Sequence, residues 1–150
     1  MARRVLDSDL LSDLLRGANA HVVANARRYH ADHQVLTFTS LTALEILSGL
    51  HHIGASAQIK RAEALFAEND EIQPNVEDYR LAAEIIGSLL RAGTPIGFID
   101  PAIAACAIRR GYAVASANTS HFEYIRSVGY GFHLENWRDD PESLALCAGD

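Results

Sequence analysis

In GFIDPAIAACAIRRGYAVASANTSHFEYI (residues 97–125), a small-residue run from Pro101 to Arg110 has the composition of a packed helix and stops at Gly111. A glycine just past the last helical residue is a common helix terminator, because it accepts the left-handed conformation there. YAVASA (112–117) then reads as a strand, and SHFEYIRSVG (120–129) as a short helix. A strand held between two helices cannot pair through a tight hairpin. It joins a parallel sheet, whose strands need long crossover connections.

The rest of the chain repeats that alternation. RRVLDS (3–8) is a short apolar run ending in an acid, the mark of a buried strand. DLLSDLLRGA (9–18) carries leucines at 10, 11, 14 and 15, which fall on one helical face. AHVVANARRYHAD (20–32) continues helical, and QVLTFT (34–39) reads as a second strand. LTALEILSGLHHIG (41–54) and SAQIKRAEALFAEN (56–69) are helices, and EIQPN (71–75) is a short strand or extended link. VEDYRLAAEIIGSLLRAG (76–93) is the strongest helix, ending at Gly93. YGFHLENW (130–137) closes with a strand, and residues 139–150 read as a loose tail after a single domain of residues 1–138. The expected fold is α/β, a three-layer α/β/α sandwich with a mainly parallel sheet.

Bulk properties narrow the function. The chain has 150 residues, 49% hydrophobic and 21% charged, with a net charge of −6. That charge argues against broad, nonspecific nucleic-acid coating. It is compatible with a nucleic-acid enzyme whose clustered carboxylates hold a cation, since a bound divalent ion reverses the local sign. No apolar run approaches the ~18 residues of a membrane span. Two cysteines without metal-ligand spacing point to a reducing cytoplasm.

In parallel sheets, ligands bind beyond the carboxyl ends of the strands, where the strand order reverses. Asp7 ends the first strand, Glu45 follows the second, Asp100 opens the helix before the strand at 112–117, and Asn118 follows that strand. Carboxylates gathered from separate strand ends repel unless a cation joins them, and an oxygen-only set suits Mg²⁺ or Mn²⁺. Each acid also has a structural reading. Asp100-Pro101 has the form of an N-cap followed by proline, Thr42-x-x-Glu45 that of a capping box, and Asp7, Ser8 and Asp9 all cap helices well. His30-x-x-His33 and His51-His52 lack further ligands and read as surface. Ser40, Ser116 and Ser120 have no nucleophile-elbow context, and neither a dinucleotide fingerprint nor a P-loop is present.

With these residues in place, the chain from about residue 4 to 137 resembles the PIN domain, and within it the VapC-type toxins of toxin–antitoxin pairs. VLDSDLLSDLLRG is similar to that family's opening strand and helix, with Asp7 as first acid and Ser8 and Asp9 where Thr and Asn are usual. TSLTALEILSG resembles the second motif, with Thr39, Thr42 and Gly49 in step and Glu45 as the second acid. DPAIAACAIRRG resembles the third, which makes Asp100 the third acid. VASANTSHFEYI resembles the fourth, placing Asn118 at the fourth position, and LENW is similar to a common ending. The resemblance implies a ribonuclease dependent on Mg²⁺ or Mn²⁺, with Asp7, Glu45, Asp100 and Asn118 catalytic and Asp7 and Asp100 binding metal. Ser8, Asp9 and Thr42 would support them. It further implies an RNA substrate, a cognate antitoxin whose tail occupies the acidic groove, and a homodimer. Asn118 keeps an oxygen ligand but cannot act as a base. Asp9 adds negative charge beside Asp7 and should raise the pair's apparent pKa.

Two other readings stand beside this one: a catalytically silent PIN-like binding module, and a haloacid-dehalogenase-like phosphatase using Asp7 as nucleophile and Asp9 as general acid. The phosphatase needs a well-placed lysine, and the chain's one lysine, Lys60, lies within a charged helix.

Overall fold

The computed structural model describes residues 2–147. Along the chain run β1 (Arg4–Leu6), α1 (Ser8–Arg16), α2 (Ala20–His33), β2 (Thr37–Thr39), α3 (Ser40–His52), α4 (Ser56–Glu68) and β3 (Asp70–Ile72). There follow α5 (Val76–Arg91), α6 (Ile99–Arg110), β4 (Ala113–Ser116), α7 (Ser120–Ser127), β5 (Leu134–Asn136) and α8 (Pro141–Cys147). The strands form one sheet in the order β3-β2-β1-β4-β5, and every pairing is parallel. The chain winds outward from β1 to β3, then returns to lay β4 on the other side of β1. That reversal opens a crevice between the carboxyl ends of β1 and β4.

Alternation along the strands separates two cores. Leu6, Phe38 and Ala115 face Leu10, Leu11, Val22, Tyr29, Ile46 and Phe66 from α1 to α4. Val5 and Val114 face Ile85, Leu89, Ile103, Phe122 and Ile125 from α5 to α7. Every residue of α6 from Pro101 to Ala107 is buried. Alanines at 102, 104, 105 and 107 let α5 and the sheet approach this helix from both sides, so small residues all round here signify a buried element.

Several expected boundaries shift for local reasons. The strand expected at 34–39 begins only at Thr37, because α2 runs on to His33 and Gln34 takes φ 66 as its left-handed C-cap. The strand expected at 3–8 stops at Leu6, since Asp7 already caps α1 by accepting Leu10 N–H at 2.9 Å. Of the two readings of 71–75, the short strand holds at its start, where the edge strand β3 spans Asp70–Ile72. Of the tail expected at 139–150, the part up to Cys147 is not loose: it carries α8, and Leu144 packs against the core, while 148–150 lie outside the described residues. Asn25 Nδ2 donates to the carbonyls of Trp137 and Asp139, 3.1 Å each, and ties this segment down. Among the described residues, no helix is long and apolar enough to cross a membrane.

Three arginines, Arg4, Arg109 and Arg110, anchor the fold through carboxylates. Arg4 is buried and reaches across β4 to Glu135, Nε–Oε2 2.9 Å and Nη2–Oε1 2.5 Å. β4 sets Ala113 beside Arg4 and Ala115 beside Glu135, and these small side chains leave room for the bridge. Arg109 and Arg110 both bind Asp78, which also closes a capping box with Asn75 at the start of α5. Burial opposes ionisation of Asp78, but the bonds from Arg110, Asn75 N–H and Arg109 outweigh it and lower its pKa to about 2.

A carboxyl with a depressed folded pKa stabilises the fold above its unfolded pKa and loses that contribution as pH falls through the folded value. The shift from 3.8 to about 2 corresponds to roughly 2 kcal/mol. Urea unfolding of Asp78→Asn should therefore show a loss of roughly that size at pH 7, shrinking toward zero near pH 2. A loss independent of pH would mean that the carboxylate charge is not what holds α5 to α6.

Candidate metal centre at the sheet switch point

Asp7 lies at the mouth of the crevice and is only 2% exposed. Its backbone N–H donates to Ala115 O at 3.1 Å, carrying the β1–β4 pairing one residue beyond the strand. Its carboxyl is held at both oxygens: Oδ1 accepts Leu10 N–H, and Ser116 Oγ lies 2.5 Å from Oδ2. Ser116 in turn accepts the Asn118 N–H at 2.9 Å. Asn118 thus meets Asp7 through Ser116, while its own Oδ1 accepts from Ser120 Oγ at 3.0 Å.

Glu45 comes in from α3, and Ser8 Oγ donates to its Oε1 at 2.5 Å, joining α1 to α3. The capping box expected from Thr42 and Glu45 does not form. Thr39 is the N-cap, its Oγ1 accepting Thr42 N–H at 3.2 Å, so Glu45 lies farther along the helix and its carboxylate binds Ser8 instead. Thr42 is fully buried, its hydroxyl 3.4 Å from that of Thr39.

Asp100 is likewise no cap. Phe98 takes the N-cap position without a side-chain bond, and Asp100 falls inside the first turn of α6. A first-turn proline has no N–H partner to lose, so α6 starts before Pro101 rather than at it. The freed Asp100 Oδ2 lies 2.7 Å from His121 Nδ1 on α7.

The acids influence one another. Burial raises the pKa of Asp7, the bonds from Ser116 and Leu10 N–H pull it back, and the charges of Asp100 and Asp9 add to the rise, which reaches about 7. Desolvation likewise raises Glu45, with Asp100 and Asp9 adding to it against the Ser8 bond. Desolvation raises Asp100 against the His121 contact, and Asp9 adds to it. Asp9 acts in the expected direction, as a lesser cause than burial.

An all-oxygen set in which the charges of Asp100 and Asp9 raise both Asp7 and Glu45 fits a hard divalent cation, which would relieve the repulsion. Among the described residues, no three His, Cys, Asp or Glu side chains are gathered tightly enough to enclose an ion. An ion held by these side chains as they stand would keep much of its water, as Mg²⁺ can.

Sequence reasoning missed two partners in this site. Ser116 becomes a neighbour of Asp7 only through the register Leu6↔Ala115, and His121 meets Asp100 only because α6 and α7 pack together. The histidine pairs stay apart from the site: His30, His51 and His52 are exposed, while His33 is half-buried and stacks on Tyr29 with centroids 4.3 Å apart.

A parallel sheet in this order, with acids from β1, α3 and α6 at its switch point, defines a class of α/β domain with a carboxylate-lined crevice. The sequence profile of the PIN domain matches residues 4–126, and the chain belongs to that family. Three solved structures are similar in fold. A DNA-bound VapBC from Salmonella typhimurium matches with TM-score 0.77 and 22% identity, over 91% of this chain and 99% of that one. VapBC2 from Rickettsia felis, bound to a promoter DNA fragment, gives 0.76 and 18%, over 89% and 98%. VapBC-5 from Mycobacterium tuberculosis, a member of the VapBC family of toxin–antitoxin systems, gives 0.58 and 16%, over 90% and 97%. No curated protein sequence matches the chain.

Proposed function

We propose that the chain is an endoribonuclease dependent on Mg²⁺ or Mn²⁺ and acts in the cytoplasm as the toxin of a type II toxin–antitoxin pair. The observation that carries this reading is the acidic set Asp7, Glu45 and Asp100 at the β1/β4 switch point, where the charge of Asp100 acts on both Asp7 and Glu45. Asp7 and Asp100 would hold the ion, with Glu45 and Asn118 completing the site. When bound, such an ion lowers the pKa of water and stabilises charge on a phosphoryl group. The chain's own contribution is orientation. Leu10 N–H and Ser116 pin Asp7, Ser8 pins Glu45, and His121 pins Asp100.

The partner reading has separate support. A groove of ≈ 530 Å³ between α1, α3 and α4 is lined by Leu15, Ile46, Leu50 and Ile53, with Arg16 and Arg61 beside them, and it shares Glu45 with the acidic site. It suits an amphipathic antitoxin segment whose apolar side fills the groove and whose basic side chain meets the acids. The relatives named above are complexes of the VapBC type, which agrees with a proteinaceous inhibitor. Exposed Leu44, Val76, Tyr79 and Leu90 offer apolar surface for a homodimer.

The rival is a silent PIN-like module, favoured by the acids' not being drawn together around an ion position. Cleavage of a structured RNA separates the two. The purified protein should cut with Mn²⁺ and stop with EDTA. Asp100→Asn should lose cleavage and keep its fold, because the carboxylate it replaces caps nothing and is held in an unfavourable field. Metal-independent cutting, or an Asp100→Asn protein as active as wild type, would overturn the assignment.

A further inference from the structure

We propose that His121 is a positioning residue that fixes the carboxylate of Asp100 in the orientation required for metal binding; this rests on the metal-dependent reading above. His121 stands at the second position of α7, on the far side of the crevice from β1, and its Nδ1 lies 2.7 Å from Asp100 Oδ2. An ionised carboxylate only accepts hydrogen bonds, so Nδ1 carries the proton and donates it. With Oδ2 engaged, the carboxyl can no longer rotate freely, and Oδ1 would be the oxygen available to an ion.

The three acids share this arrangement. Ser116 and Leu10 N–H hold Asp7, Ser8 holds Glu45, and His121 holds Asp100. Each acid is thus oriented by a donor from outside its own turn or from another element, which is how outer partners set the geometry of ligands at metal sites. A role in packing does not account for His121. Its side chain is 46% exposed, whereas Phe122 and Ile125 are fully buried and supply the core contacts of α7. A chance surface ion pair would have no bearing on metal affinity, and the experiment turns on that difference.

Mn²⁺ binding to metal-stripped protein, followed by calorimetry and by the paramagnetic resonance of free Mn²⁺, should be compared among wild type, His121→Ala, His121→Asn and Asp100→Asn. Removing an outer-shell partner typically weakens metal affinity by about 10- to 100-fold, and that is the loss expected for His121→Ala. His121→Asn should recover most of it, because its amide nitrogen is as many bonds from Cβ as Nδ1 is. In an Asp100→Asn background, His121→Ala should cause no further loss. Thermal melts should leave the His121 variants near wild type, given the exposure of the ring. Equal Mn²⁺ affinity for wild type and His121→Ala, or an undiminished loss in the Asp100→Asn background, would overturn the positioning role while leaving the metal reading intact. Wild-type protein that binds no Mn²⁺ would overturn both.

Discussion

Asp7→Asn is expected to abolish metal-dependent RNA cleavage and, in EDTA at pH 8.5, to make the protein more stable than wild type. Both effects have one origin. Asp7 is 2% exposed, and burial, with the charges of Asp100 and Asp9 adding to it, pushes its folded pKa up to about 7 from an ordinary 3.8. A raised folded pKa means that the folded state binds the proton more tightly. That advantage is fully present below the unfolded pKa and is lost as pH rises through about 7. A shift of about three units corresponds to up to roughly 4 kcal/mol of strain at alkaline pH, which the neutral amide avoids. Asn can still accept Leu10 N–H and can donate to Ser116 Oγ, whose hydroxyl then turns to Asn118 O, 2.8 Å away. Urea unfolding in EDTA should show wild type losing markedly more stability between pH 5 and 8.5 than the variant, which keeps only the smaller losses from Glu45 and Asp100. Cleavage should fall by more than the ~100-fold typical of losing an outer-shell partner.

Asp9→Asn supplies the contrast. Asp9 is exposed and lies near the acids only as a like charge, so its amide should leave cleavage mostly intact. Severe and equal losses for both variants, with a phosphoryl group trapped on Asp7, would instead be the behaviour of a phosphatase.

Glu135→Ala should be the most destabilising of the single substitutions considered. The Glu135 carboxylate accepts from Arg4 Nε and Nη2 and from Trp137 Nε1, the last at 3.0 Å, and both side chains of the ion pair are under 10% exposed. Truncation leaves a buried guanidinium without its counter-charge and a buried indole N–H without an acceptor. Breaking a buried pair in this way costs about 3–5 kcal/mol, a large part of a domain's total stability of about 5–15 kcal/mol. Arg4→Met with Glu135→Leu should recover much of the loss, since apolar replacement removes the desolvation cost along with the attraction. Equilibrium urea unfolding of the single and double variants decides the point. A Glu135→Ala loss below about 1 kcal/mol would place this pair with surface ion pairs, which contribute that little.

Much of this protein was legible in one dimension. Alternating periodicity specified a parallel α/β sandwich, because apolar spacing distinguishes strand from helix and helices between strands forbid hairpins. Gly111 marked the end of α6 because its φ of 68 suits a residue without Cβ. The candidate acids were readable because the carboxyl ends of the strands are where this architecture places its ligands. Their order also carried the resemblance to the family to which the chain belongs.

Contacts between residues far apart in sequence were another matter. Asp100 and Pro101 had the local chemistry of a cap, yet the buried run of α6 drew the helix start back to Ile99 and released the carboxylate toward His121. Thr42 and Glu45 matched a capping box, but Thr39 at the end of β2 was nearer the orphan N–H, and Glu45 bound Ser8. Nothing near Arg4 in sequence pointed to Glu135, and only the alanines that β4 sets beneath its path let the two meet. The tail became α8 through Asn25 and a place for Leu144 on the core. Local propensity determines which elements a chain can form. Burial then decides what each polar side chain meets, because a buried donor or acceptor must find its partner wherever the packing brings one.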